Sequence, residues 1–163
     1  MRLLDEKFRR SPGRFLAQSF LAFAAVAVIA VYLGAITNGA VVAALGASAF
    51  IVFATPEHDT AHPRRLIGGH GICIALGSLC SIPFRFALLP RTAASVGLLA
   101  AAAVGLAILA MTVTDTEHPP AAGNALAFAV SARGVDHLLF IAAAIVSLGL
   151  IHRLLRKWLR DLT

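Results

Sequence analysis

Charge is what this chain has least of. Asp, Glu, Lys and Arg make up 13% of its residues against 59% hydrophobic ones, and the mean hydropathy is +0.84. Those values lie outside the range of soluble domains and point to a membrane protein. Residues 15–36 hold no charged side chain over 22 positions, and residues 93–114 none over another 22. At 1.5 Å per residue each run reaches about 33 Å as a helix, enough to cross a hydrocarbon core of about 30 Å. The first run follows basic residues, as the core of a secretory signal does. It is well over the roughly 7–15 apolar residues of such a core and no cleavage site follows it, so it reads as a retained helix.

Cysteine is nearly absent as well. Cys73 and Cys80 lie seven residues apart on one apolar segment, about 10.5 Å along a helix axis and too far for a disulfide. They read as packing residues and say nothing of the redox compartment. A serine in a G-x-S-x-G frame is also missing. Ser48 sits in Gly46-Ala47-Ser48-Ala49 with no base near it in sequence, so covalent catalysis is unsupported and an enzyme is not expected. Close helix packing is the first reading of Ser48, and it is kept among the candidate binding residues. The net charge of +6 does not imply nucleic acid, because the basic residues cluster at the ends of apolar runs rather than along one face. The expected partner is the lipid bilayer.

Six apolar segments are present: 15–36, 40–54, 66–84, 93–114, 120–132 and 135–152. Two are short, 40–54 at about 22 Å and 120–132 at about 19 Å as helices. The expected fold is an all-α polytopic membrane bundle of about four long helices and two short or broken ones. A basic tail (1–14) precedes the transmembrane domain (15–155), and an amphipathic basic extension (152–163) follows, with Trp158 at headgroup level. If all six segments cross, 11 of the 14 Lys and Arg residues fall on one side, leaving Arg85, Arg91 and Arg133 on the other. That asymmetry puts both termini in the cytoplasm, with a bacterial inner membrane as the expected location. A re-entrant 120–132 would move the C-terminus across. Few helices around a polar site lead us to expect a homo-oligomer.

What the chain does have is a string given twice. Asp59-Thr60-Ala61-His62-Pro63 and Asp115-Thr116-Glu117-His118-Pro119 lie 56 residues apart, each after an apolar run and before a Gly- and Ala-rich one. The pattern reads as an internal parallel repeat, and interrupted segments in matching positions are the usual pointer to a transporter's site. Titratable groups in such places are costly and therefore functional candidates. Pro119 and Pro120 suit a helix start, whose free N–H groups favour an anion near His118. Gly123 permits close approach and Asn124 adds an amide. In the first copy the candidates are His62, Arg64, Gly69 and His70. Asp59, Asp115 and Glu117 are candidate proton relays. His152, at the inner end of the last segment, is expected to matter little when replaced by Ala. No metal site and no cofactor is expected. His58, Asp59 and His62 with Asp115 and His118 supply possible ligands, but Pro63 denies His58 and His62 a regular helix face.

The stretch Glu117-His118-Pro119-Pro120-Ala121-Ala122-Gly123-Asn124-Ala125-Leu126 resembles the signature of the HPP family of integral membrane proteins. So do Leu45-Gly46-Ala47-Ser48-Ala49 and Ala61-His62-Pro63-Arg64-Arg65-Leu66-Ile67-Gly68-Gly69-His70. The resemblance covers about residues 15–155 and implies a domain usually described with four transmembrane helices. Some relatives are associated with nitrite transport, so it implies a small-anion transporter. A divalent-metal transporter and a non-transporting scaffold are the alternatives.

Overall fold

The computed structural model describes residues 6–33, 39–131 and 135–163. Arg2, Ile36, Ala132 and Arg133, used in the counts and segment limits above, lie outside the described residues. Each of the six apolar segments is a helix, and among the described residues there is no strand. A short α1 (Glu6–Arg10) is followed by α2 (Pro12–Leu33), α3 (Gly39–Ala54), α4 (Pro63–Cys80), α5 (Ile82–Arg85), α6 (Ala93–Val113), α7 (Ala122–Val130) and α8 (Val135–Leu155). Four are long, at 22, 18, 21 and 21 residues for α2, α4, α6 and α8. Helices α3 and α7 have 16 and 9. The expected division into four long and two short helices holds.

Helices α2, α6 and α8 are long and apolar enough to cross a membrane. Helix α4 carries Arg64, Arg65 and His70, and it is wrapped by α6, α7 and α8. Polar groups belong on the helix that lipid does not touch. The chain alternates direction through the bundle, so the end of α3, the start of α4, the end of α6, the start of α7 and the end of α8 share one face. The described termini meet there as well, through a bond from the Lys7 ammonium to the Thr163 carbonyl.

Local sequence sets the helix limits. Thr92 opens α6 with a capping box, accepting from Ser95 N–H at 3.2 Å while Ser95 Oγ accepts from Thr92 N–H at 3.0 Å. At its other end Asp115 takes the left-handed conformation (φ 54°), and Thr116 N–H reaches back to the Met111 carbonyl at 3.0 Å. That is a Schellman-type stop with Asp where glycine is commonest. The turn it makes sends residues 115–118 back across α4.

Small residues let those passages close. A Cβ on Gly77 of α4 would stand 2.5 Å from the Ala125 carbonyl oxygen and 2.9 Å from Phe128 Cβ of α7. Backbone cannot retreat from such a clash. Gly77→Val is therefore expected to cost about 1–3 kcal/mol, read as a lower unfolding midpoint in detergent or bicelles.

The tail departs from expectation. Its leucines have helical spacing, yet α8 ends at Leu155. Leu159 and Leu162 instead turn inward against the core, while Trp158 stays 80% exposed. Leu162 N–H donates to the Ala54 carbonyl at 2.8 Å, and Gln18 of α2 bonds Arg160 through its backbone N–H at 3.1 Å and its carbonyl at 2.9 Å. Satisfying the open end of α3 and burying two leucines outweighs another turn and a half of helix.

Candidate functional site

The two repeated strings take different local structures, and one residue explains why. In the first copy Asp59–Ala61 form a 3₁₀ turn, His62 caps α4, and Pro63 occupies the first helical position. The Arg64 N–H donates to His62 Nδ1 at 3.4 Å, so the His62 ring is held at the exposed surface. The second copy has Pro120 where the first has Arg64. Proline has no N–H to offer, and His118 makes no side-chain cap bond. Its ring turns inward instead and is fully buried. Pro119–Ala121 form a 3₁₀ turn that leads into α7.

Inside the bundle His118 meets three other buried polar side chains. Ser48 of α3, His70 of α4 and Asn124 of α7 are, like it, no more than 1% exposed. Ser48 Oγ lies 2.9 Å from His70 Nε2 and 2.9 Å from His118 Nε2. Asn124 Nδ2 donates to His70 Nδ1 at 2.8 Å. His118 Nδ1 donates to the Thr60 carbonyl at 2.8 Å, which ties the first 3₁₀ turn to the second string. Ser48 Oγ also stands 2.9 Å from the Ala44 carbonyl, one turn back on its own helix. The two imidazole centres are 5.1 Å apart. None of the described carboxylates bonds to this cluster.

Gly69 makes the approach possible. A Cβ there would lie 2.8 Å from the Thr116 carbonyl oxygen and 2.9 Å from His118 Cβ. The charges sit outside, clamping the same junction. Arg65 reaches Asp115 at 2.5 Å and Glu117 at 2.9 Å, while Arg64 stands 3.7 Å from Asp115 and donates to the Thr114 carbonyl at 3.3 Å. Asp115 is 58% exposed and Glu117 35%, so this clamp is a modest one. Arg65→Gln is expected to cost about 1 kcal/mol or less, with a smaller loss in high salt, measured by unfolding at two ionic strengths.

Of the residues singled out in sequence, Ser48, His70, His118 and Asn124 thus converge, with Gly69 beneath them. Asp59, His62, Arg64, Asp115 and Glu117 lie at the surface around the same junction, with Pro119 and the half-buried Pro120 and Gly123 at the start of α7. His152 is buried, and its Nε2 donates to the Pro56 carbonyl at 3.1 Å. It also lines a polar cavity of about 310 Å³ with Glu57, His58, Asp59, His62, Arg156 and Arg160. That cavity and the Thr60 carbonyl escaped sequence reasoning, because both depend on where α8 and the first turn come to rest. Among the described residues no three His, Cys, Asp or Glu side chains gather as a metal-binding group.

A helical bundle with three membrane-length apolar helices and a buried polar cluster is an integral membrane protein. The family described as "HPP, transmembrane region" matches residues 8–159, and the chain belongs to that family. It is similar to two transmembrane proteins of Dictyostelium discoideum. One is 34% identical over 85 residues, covering 52% of this chain and 28% of that protein. The other is 35% identical over 86 residues, covering 53% and 26%. The chain therefore matches little more than a quarter of the length of these relatives. No solved structure matches it.

Proposed function

We propose that this chain carries a small monovalent anion, nitrite being the first candidate, across a membrane. The buried Ser48–His70–His118–Asn124 cluster would be its site. The observation that supports this most is the cluster itself: two imidazoles, a hydroxyl and an amide, hydrogen-bonded together inside a lipid-facing bundle, with no bonded carboxylate among the described residues. Such groups are costly in a membrane interior and mark pathways there. A cluster whose hydrogens sit on N–H and O–H groups, with no carboxylate bonded to it among the described residues, suits an anion once those groups turn toward it.

Access is through the face that bears both loops. The cavity beside Asn124 and His70 measures about 10 Å³, near the lower limit for one water, so the cluster is closed. One side of the first 3₁₀ turn holds His118 through the Thr60 carbonyl. Asp59 of the turn and His58, which caps it, line the 310 Å³ polar cavity. In this reading the cavity is the antechamber and the turn is the gate. The metal-transport reading finds no gathered ligand set among the described residues to support it.

Uptake of nitrite, nitrate, formate and chloride into liposomes holding the purified protein tests the proposal. Saturable uptake of at least one anion, unaffected by chelator, is expected. No flux from folded protein would leave a scaffold, and chelator-sensitive cation flux would leave the metal reading.

A further inference from the structure

The directions of the five bonds in the cluster determine how many protons it can hold. A carbonyl only accepts, so His118 Nδ1 carries a hydrogen toward Thr60. An amide nitrogen only donates, so Asn124 Nδ2 fixes His70 Nδ1 as an acceptor. A neutral His70 must then carry its hydrogen on Nε2 and donate it to Ser48 Oγ. What remains is the single Ser48 hydrogen, which has two acceptors at the same 2.9 Å: His118 Nε2 and the Ala44 carbonyl.

We propose that the cluster binds one proton on His118 Nε2, with the Ser48 hydroxyl as the switch that accommodates it. With His118 neutral, the hydroxyl donates to His118 Nε2. When a hydronium ion or a protonated weak acid delivers a proton, an N–H bond forms at His118 Nε2 and the donor leaves as water or as the conjugate anion. The Ser48 hydroxyl rotates to the Ala44 carbonyl, and its oxygen accepts from both imidazoles. Each ring and hydroxyl hydrogen has an acceptor in both states, which a buried polar network requires. With the Asn124 amide in this orientation a second proton is opposed, because His70 Nδ1 faces the amide hydrogens. Asn124 Oδ1, buried and without a protein partner, borders the cavity that has room for about one water.

The surroundings leave this switch to the four side chains. Residues of α8 at the cavity are apolar (Phe140, Ile141, Ala144 and Ile145). Cys73 of α4 is turned to Met111 of α6. Arg64, Arg65, Asp115 and Glu117 pair with one another at the surface, and His58, Asp59, His62 and His152 face the other cavity. Resting on the transport reading, the consequence is stoichiometric. A monovalent anion is held against an imidazolium only when one proton has entered with it, so the cargo is one anion with one proton.

Ring ¹⁵N spectra of histidine-labelled protein in bilayers test the switch without any need for transport. As the pH is lowered, His118 is expected to pass from Nδ1–H alone to both nitrogens protonated. His70 should keep Nε2–H and a bare Nδ1 throughout. Ser48→Ala removes the acceptor that the imidazolium needs, so the His118 transition should move down by roughly one pH unit. Asn124→Leu should instead let His70 populate both tautomers. Titration of His70 in place of His118, or an unmoved transition in Ser48→Ala, overturns the proposal. Should the spectra behave as expected while liposomes show no anion flux, the proton site stands and the transport reading fails. Anion flux with the wrong spectra sinks the switch alone.

Discussion

His118→Ala is expected to lower anion uptake at least tenfold, a loss of about 1.4 kcal/mol, modest for one charge-assisted hydrogen bond. His118 is where the two loops and the interior meet, holding Thr60 with one nitrogen and Ser48 with the other. Truncation leaves the Ser48 and Thr60 groups buried without that partner, which also costs about 1–3 kcal/mol of stability. Two further variants separate fold from function. An Asn side chain places its amide near the Nδ1 position, so His118→Asn should keep the Thr60 bond and the fold. His118→Gln reaches toward Ser48 instead. Neither can carry a proton on a ring nitrogen, so both should fold better than His118→Ala and transport poorly at every pH. Leu98→Ala, at an exposed position of α6, is the control and should change little. Normal uptake by folded His118→Ala would show that the ring is architectural.

Gly69→Val should be the change on α4 that most lowers uptake. Its Cβ would press on the Thr116 carbonyl and the His118 Cβ, both part of the chain that carries the imidazole. Overpacking of this kind costs about 1–3 kcal/mol. The surviving folded protein should have its 115–118 passage pushed off α4, with uptake per folded molecule as low as in His118→Ala. A Cβ on Gly71, two residues along the same helix, would meet nothing within 4 Å. Gly71→Ala should therefore be neutral or stabilising by about 0.5–1 kcal/mol, since alanine is the better helix former. Equal effects at the two positions would mean that helix propensity, not the crossing, explains the loss.

The helices were legible because hydropathy depends on composition alone. Each apolar run became helical, with 66–84 divided at Ser81 into α4 and α5, and the limits moved by a few residues. Helix α4 starts at Pro63 rather than at 66, since His62 and Pro63 supply a cap and a ready first turn. The tail was misread because periodicity cannot report that Leu159 and Leu162 have a core to enter. At the site, residue types were legible and their grouping was not. Ser48, His70, His118 and Asn124 were all candidates, but so was His62, which faces outward. The distinguishing signal lay in the sequence, in Arg64 against Pro120, one with an N–H for the preceding histidine and one without. Pro120→Arg restores that donor in the second copy and should draw His118 toward its backbone, weakening the Ser48 contact and uptake together.

The central claim is that the anion passes through the buried cluster. Its most direct test places a thiol there, as Ser48→Cys with Cys73 and Cys80 replaced by alanine, and follows modification by a small charged methanethiosulfonate during nitrite uptake. The thiol introduced by Ser48→Cys is expected to react while transport proceeds, and saturating nitrite should slow the reaction. A thiol that stays unmodified through many turnovers, or reacts equally fast with and without the anion, would contradict it.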